Sequence, residues 1–318
     1  MPLNPHRQVH TIVRSKREVG HGIVEFELAD PDGWPLPPFT GGAHIDAHVP
    51  GIGPRQYSLC GDQLDRSVYR IAVLRLADGR GGSRTLCDRV AVGDLLPVSL
   101  PRNHFPLAEG ASRHRFIAGG IGLTPFLSMI PRLGPASAYH LHACARDAQR
   151  LPYRERLVDL VRAGHASIHL DGGDPVHGLD VRECLAQAIE GEHVYCCGPA
   201  GLMDAVQHAA RHWPPGTVHF ERFQTAAVPS STQGFDVELA RSGKVVRVEA
   251  GQTVASALLG AGVEIDVSCE AGACGACKTR LIAGDPEHRD VVLKPAERAT
   301  HFVPCVSGCR GDRLVLDL

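Results

Sequence analysis

The rhythm of apolar and polar positions changes twice along this chain of 318 residues. From His6 to about Leu107 apolar positions fall in short alternating runs: Gln8 to Val13, Gly22 to Leu28, Ala43 to Val49 and Tyr69 to Arg75. Pro and Gly clusters, at Pro31 to Pro38 and Pro50 to Pro54, separate them. A period of two with such breaks predicts antiparallel strands closing into a barrel. From Arg113 onward short apolar strands alternate with helical runs. Strands are expected at Arg115 to Ala118, Ala138 to Cys144, Ala166 to Leu170 and His193 to Cys197, and helices from Pro125, over Leu151 to Ala163 and over Val181 to Ile189. That alternation predicts a parallel sheet covered by helices. Gln224 to Gln233, with Pro229 and several hydroxyl residues, reads as a linker. After it a hairpin (Phe235 to Leu239, Lys244 to Val248), a helix (Thr253 to Leu259) and later strands suggest a compact sheet-and-helix module. The expected division is 1–108, 109–225, a linker over 226–233, and 234–318.

Composition narrows the class without naming it. Apolar content of 43% and charged content of 21% are ordinary for a globular chain. A net charge of −2 gives no case for a nucleic-acid partner. No apolar run approaches a membrane span, and Met1 to Arg17 lacks the apolar core of a secretion signal. A cytoplasmic setting is therefore expected, and with it reduced thiols, because the 11 cysteines are odd in number. The 18 histidines are scattered and read as surface or packing residues.

Cys269, Cys274 and Cys277 stand at C-x4-C-x2-C spacing, with Cys305 farther along as a fourth candidate. This is the spacing of a plant-type [2Fe-2S] site. Gly and Ala fill the gaps and let a loop wrap closely around a cluster. Zinc and a disulfide framework are the competing readings. Zinc usually takes two C-x2-C pairs, of which only one is present, and disulfide frameworks suit short secreted chains.

In the barrel region Arg55-Gln56-Tyr57-Ser58 places Arg55 and Tyr57 on one face of an extended segment and Ser58 on the other. Arg55 suits a phosphate, Tyr57 a planar ring, and Ser58 a ring nitrogen or oxygen. The segment alone reads equally well as an ordinary strand. Gly81-Gly82-Ser83, followed by a helical run to Val90, makes a helix N-terminus suited to an anion, or a loop with a Ser cap. Two phosphate-suited elements in one small barrel favour a flavin phosphate.

In the alternating region Gly119-Gly120-Ile121-Gly122-Leu123-Thr124-Pro125 follows a strand and opens a helix. Thr124 is expected as N-cap and Pro125 as the first helical residue, with Gly120 and Gly122 admitting a pyrophosphate. It is not G-x-G-x-x-G, so the dinucleotide reading rests on element order. Asp147 lies where a ribose-reading residue would sit and suits the free 2′-hydroxyl of NADH, while Arg146 keeps a phosphate-binding alternative open. Cys197-Gly198-Pro199 makes a second turn at a strand end. Cys197 there suits a place beside a nicotinamide, or simply fills space next to Cys196.

Taken together these motifs resemble the phthalate dioxygenase reductase family, the NADH-dependent reductases of Rieske oxygenases and O-demethylases. Arg55-Gln56-Tyr57-Ser58, Gly81-Gly82-Ser83, Gly119 to Pro125, Cys197-Gly198-Pro199, the cysteine loop and Gly284 to Asp290 carry the resemblance, in the family's order across the whole chain. It implies an antiparallel β-barrel flavin domain, an α/β nucleotide domain and a β-grasp-like plant-type ferredoxin domain. It further implies FMN rather than FAD, with Phe223 near the flavin and Glu221 on the nicotinamide side. The Cys305-Val306-Ser307 pattern implies Cys305 rather than Cys309 as fourth ligand. Electrons would pass from NADH to FMN to the cluster, with a potential on the order of −400 mV, and on to a Rieske-type oxygenase docking at Ala271 to Ala276. Ser58, Cys197 and Glu221 are the expected catalytic positions. A monomer is expected. A cytochrome P450 as acceptor, or a redox sensor without turnover, are the alternatives.

Overall fold

The computed structural model describes residues 8–77, 81–133, 138–223, 233–267, 272, 275–290 and 292–318. The chain divides into two compact units that meet in sequence between Glu221 and Arg222.

The first unit opens with seven strands: β1 (Gln8–Val9), β2 (Ile12–Gly20), β3 (Ile23–Ala29), β4 (His44–Val49), β5 (Gly53–Ser58), β6 (Tyr69–Leu74) and β7 (Val98–Ser99). They form two antiparallel sheets, ordered β1-β7-β4-β5 and β2-β3-β6. Bridges Leu59↔Ile71 and Ile12↔Leu95 stitch one sheet to the other. Alternation does the sorting: Phe26 and Leu28 of β3 point into a core with Ile45, Ala47 and Ile71, while Ile23 on the opposite face joins the next core. The helix α1 (Gly82–Arg89) buries Leu86 against the first core.

Past Ser99 the connectivity becomes parallel. Strands β8 (Arg113–Gly119), β9 (Ala138–Ala145), β10 (Ala166–Leu170), β11 (Glu192–Cys197) and β12 (Val218–Glu221) make one sheet in the order β10-β9-β8-β11-β12. Helices α2 (Thr124–Met129), α3 (Arg154–Arg162), α4 (Val181–Cys184) and α5 (Ala200–Ala209) alternate with them. The chain runs outward from β8 to one edge and then returns to the other side through β11. The crevice between β8 and β11 is therefore the switch point, where such sheets take ligands. Antiparallel and parallel halves share a core in which Ile23 and Phe105 pack with Phe116, Phe126 and Tyr195. Ala108 N donates to the Tyr195 hydroxyl at 2.7 Å, and Gly42 N to Ser128 Oγ at 3.0 Å.

The second unit holds β13 (Phe235–Leu239), β14 (Val245–Val248), α6 (Val254–Gly260), β15 (Thr279–Glu287), β16 (His301–Phe302) and β17 (Gly308–Leu316), with sheet order β14-β13-β17-β15-β16. The β13–β17 pair is parallel and the others antiparallel. Helix α6 is capped by Thr253, which accepts from Ser256 N, and buries Val254, Ala257 and Leu258. The multidomain class read from the sequence is the observed one. Among the described residues no helix is long and apolar enough to cross a membrane.

Three local expectations are corrected. Thr124 is not an N-cap: a 3-10 turn over Gly120–Leu123 already precedes it, and its hydroxyl donates back to Ile121 O at 3.0 Å. Gly120, with φ +54°, lets the strand bend straight into that turn. The run Leu151 to Ala163 is helical only as α3, because Tyr153 takes a left-handed conformation ahead of it. The helix expected to Ile189 stops at Cys184, where the Trp213 indole N–H takes the Leu185 carbonyl at 3.0 Å.

Candidate functional site

The two turns at the switch point touch backbone to backbone. A Cβ on Gly122 would lie 2.1 Å from Cys197 O, and one on Gly198 would lie 2.9 Å from Gly119 Cα and N. Only glycine fits such approaches. Gly122 and Gly198–Pro199 thus meet at the carboxyl ends of β8 and β11, with Gly120 and Thr124 in the same turn as Gly122. Gly119, part of the same glycine motif but not among the expected binding residues, belongs with them, since its Cβ would strike Pro199 Cδ at 2.5 Å.

Ser58, Cys197 and Glu221 come together beside these turns, from strands far apart in sequence. Cys197 of β11 is in register with Glu221 of β12 and with Ala118 of β8. Ser58, at the end of β5, donates from Oγ to Glu221 Oε2 at 3.1 Å. Burial, followed by the Glu221 carboxylate, raises the Cys197 thiol well above its ordinary range. A fully buried thiol held neutral is a poor nucleophile; it supplies a small, polarisable wall.

Arg55 and Tyr57 share a face of β5, as the alternation predicts, opposite Ala47 and Ile45 of β4. Burial raises the Tyr57 phenol above its ordinary value. The Arg55 side chain crosses the first turn of α1, where a Cβ on Gly82 would lie 2.9 Å from Arg55 Cγ and Nε. Gly81 caps this helix in the left-handed conformation, so Ser83 lies inside the helix, where its hydroxyl accepts from Leu76 N at 3.2 Å. A guanidinium over the open N–H groups of a helix start is an anion cradle, and the lack of a side chain at position 82 makes room for it.

Asp147 follows β9 and caps a turn over Ala148–Arg150. Its Oδ1 accepts from Gln149 N and Arg150 N, both at 3.0 Å, and Oδ2 from Arg150 Nε at 3.1 Å. Phe223 is 43% exposed.

Cys269 and Cys274 lie outside the described residues, as do Ala271 and Ala273 of the expected docking surface. Cys277 and Cys305, each 4% exposed, share one apolar cluster with Ala255, Leu293, Val303 and Val306. Cys309 belongs to the other core of this unit, and its thiol donates to Arg313 O at 3.6 Å. In the cysteine loop Gly272 and Gly275 are left-handed, and a Cβ on Gly272 would meet Val306 Cγ2 at 2.6 Å. Gly272 is therefore pressed against the segment that carries Cys305. Two buried thiols within one apolar cluster, with left-handed glycines at 272 and 275, fit an iron–sulfur centre.

Comparison with known proteins accords with this geometry. The family model described as a 2Fe-2S iron-sulfur cluster binding domain matches residues 237–310. The matched stretch lies within the second unit and marks it as an iron–sulfur cluster binding domain. The phthalate 4,5-dioxygenase oxygenase reductase subunit of Pseudomonas putida is 43% identical over 309 residues, 96% of this chain and 95% of that one. The solved structure of a phthalate dioxygenase reductase, described as modular for electron transfer from pyridine nucleotides to [2Fe-2S], superposes with TM-score 0.78 at 40% identity, covering 98% of each chain. The chain belongs to the phthalate dioxygenase reductase family. It is also similar to an intact type IV self-sufficient cytochrome P450 monooxygenase, with TM-score 0.80 and 36% identity over 100% of this chain and 43% of that one.

Proposed function

We propose that this chain carries electrons from NADH through FMN and a [2Fe-2S] cluster to a Rieske-type terminal oxygenase, as a cytoplasmic monomer of three modules, 1–108, 109–225 and 234–318. The observation that carries the reading is the meeting of Ser58, Cys197 and Glu221 beside the paired glycine turns. Arg55, Tyr57, Gly82 and Ser83 would hold the flavin phosphate and ring, with Ser58 and Phe223 at the ring. Gly120, Gly122, Thr124, Gly198 and Pro199 would hold the nucleotide phosphates, Asp147 the adenosine ribose, and Cys197 and Glu221 the nicotinamide side. Cys269, Cys274, Cys277 and Cys305 would hold the cluster.

When bound, these groups supply hydride donation, the splitting of an electron pair and one-electron export. The protein's part is to hold and to exclude. The Ser58 hydroxyl donates to Glu221 and so joins the end of β5 to the end of β12. The closed contact of Gly122 with Cys197 leaves no room for water between the two turns. The neutral Cys197 presents no charge to a neighbouring ring.

Anaerobic mixing of the holoprotein with NADH, followed by stopped-flow absorbance, tests the reading. Flavin and cluster bands should bleach in that order, and electrons should pass to an added Rieske oxygenase. No bleaching, or zinc in place of iron on metal analysis, would overturn it. The similarity to a P450 fusion supports a second acceptor class. Faster turnover with a P450 than with any Rieske oxygenase would favour it.

A further inference from the structure

Tyr153 is the one non-glycine residue with positive φ among the described residues, at φ 54° and ψ 42°. A bulky side chain in that region is an outlier and persists only where its surroundings over-determine it. The surroundings here are specific. The phenol oxygen lies 3.2 Å from Cys60 Sγ, in a cavity that Glu25 also lines. Glu25 is a β3 carboxylate only 2% exposed, and it accepts from Arg17 Nε at 2.6 Å. Both Cys60 and Glu25 belong to the antiparallel half, whereas Tyr153 opens α3 of the parallel half.

The backbone repeats the attachment. Tyr153 N donates to Val19 O at 2.8 Å, and His21 N donates to Gln149 O at 2.8 Å. Between them Gly20 is pressed against the same segment, where a Cβ would stand 3.1 Å from Leu151 O and 3.3 Å from Pro152 Cα. Residues 149–153 are thus pinned at both ends to the β2–β3 turn. That pinned segment begins inside the turn capped by Asp147, whose carboxylate is oriented by Gln149 N, Arg150 N and Arg150 Nε.

We propose that Tyr153, anchored on Cys60 and on the Val19 carbonyl, is a positioning residue that holds the Asp147 turn in place and so sets the choice of nucleotide. This rests on the reading of Asp147 as the ribose-binding residue. The left-handed tyrosine forces α3 to start where it does, and the β2–β3 turn fixes the segment before it. The orientation of Asp147 is then a property of the junction between the two halves, not of its own loop.

The test uses the flavin- and cluster-loaded protein with Tyr153→Gly, Tyr153→Phe and, as a reference, Asp147→Ala. Glycine accepts the backbone conformation but loses the anchor. Phenylalanine keeps the ring but loses the hydroxyl, and serves if the glycine variant does not fold. Calorimetric binding of NAD+ and NADP+ is measured along with amide hydrogen exchange over 147–153. Tyr153→Gly should weaken NAD+ about ten-fold, the equivalent of about 1.4 kcal/mol. It should also speed exchange across the turn and narrow the preference over NADP+. KM for NADH should rise in step with kcat held. Tyr153→Phe should show the same pattern at about a third of the factor, since one hydroxyl partnership is lost. Unchanged affinity and exchange in both tyrosine variants, with Asp147→Ala still weakening NAD+, would overturn the proposal alone. If Asp147→Ala leaves both nucleotides unaffected, the reading of Asp147 falls first and the proposal with it. A drop in thermal stability without a change in nucleotide preference would mark a merely structural tyrosine.

Discussion

Ser58 Oγ donates to Glu221 Oε2 at 3.1 Å across 163 residues of sequence. The donor ends a strand of the antiparallel half and the acceptor ends the edge strand of the parallel sheet. One hydrogen bond therefore marks where the two halves of the first unit present their functional edges to each other. Ser58→Ala should slow NADH-driven flavin bleaching about ten-fold. Stability should change by only about 1 kcal/mol, the usual net worth of such a bond. Stopped-flow traces and urea melts together check this, and a large stability loss with an unchanged rate would refute it.

The backbone contact at the switch point makes a sharper demand. Gly122→Ala would put a methyl group 2.1 Å from Cys197 O, so the turn has to move. Overpacking of this kind costs about 1–3 kcal/mol. NADH oxidation should be lost while flavin absorbance per protein stays near normal, because the Arg55 and α1 cradle is untouched. Gly120→Ala should be harmful for another reason: its φ of +54° is disfavoured for any side chain, although nothing obstructs the space.

The two late cysteines should part company. Cys305→Ser should abolish the visible cluster bands and the reduced-state resonance signal. Cys309→Ser should keep both, since Cys309 sits in the sheet core with its thiol bonded to Arg313 O. Iron content measured alongside the spectra decides between them. Retention of a full cluster in Cys305→Ser with loss in Cys309→Ser would reverse the assignment.

Acid should destabilise this protein in a definite window. Burial, then the neighbouring His140 and His169, lower His142 to about 3. Burial, then His193 and His114, lower His219 to about 4. A histidine unfolds to a value near 6.5, so between these values the unfolded chain binds more protons than the folded one. Stability rises with pH there. It is fully present above about 6.5 and is lost as pH falls toward about 4 for His219 and about 3 for His142. The urea midpoint should follow that curve, and His142→Gln should flatten it. A midpoint constant from pH 7 to 4 would contradict the assignment.

Much of this molecule is legible residue by residue. Period-two alternation marks β3 and β5, and alternating strands and helices mark the parallel sheet, because each pattern records which side of an element faces a core. Cysteine spacing is equally local, since a loop of fixed length must reach around one cluster. Glycine suits positions 122 and 198 because a close backbone approach leaves only one residue type, and position 120 because of its positive φ.

What the sequence by itself determined, then, is the set of elements, their order and the chemistry held at their ends. Only the tertiary structure decided which ends meet. That Cys197 lies beside Glu221, and that Ser58 reaches it, depends on strand order and register, which no local pattern encodes. Thr124 lost its capping role because Gly120 started the turn early, and the helix after Val181 ended because Trp213 claimed its carbonyl. The left-handed Tyr153 has no sequence signal at all. Its backbone is set by partners at positions 19 and 60, and local propensity yields wherever distant partners outweigh it.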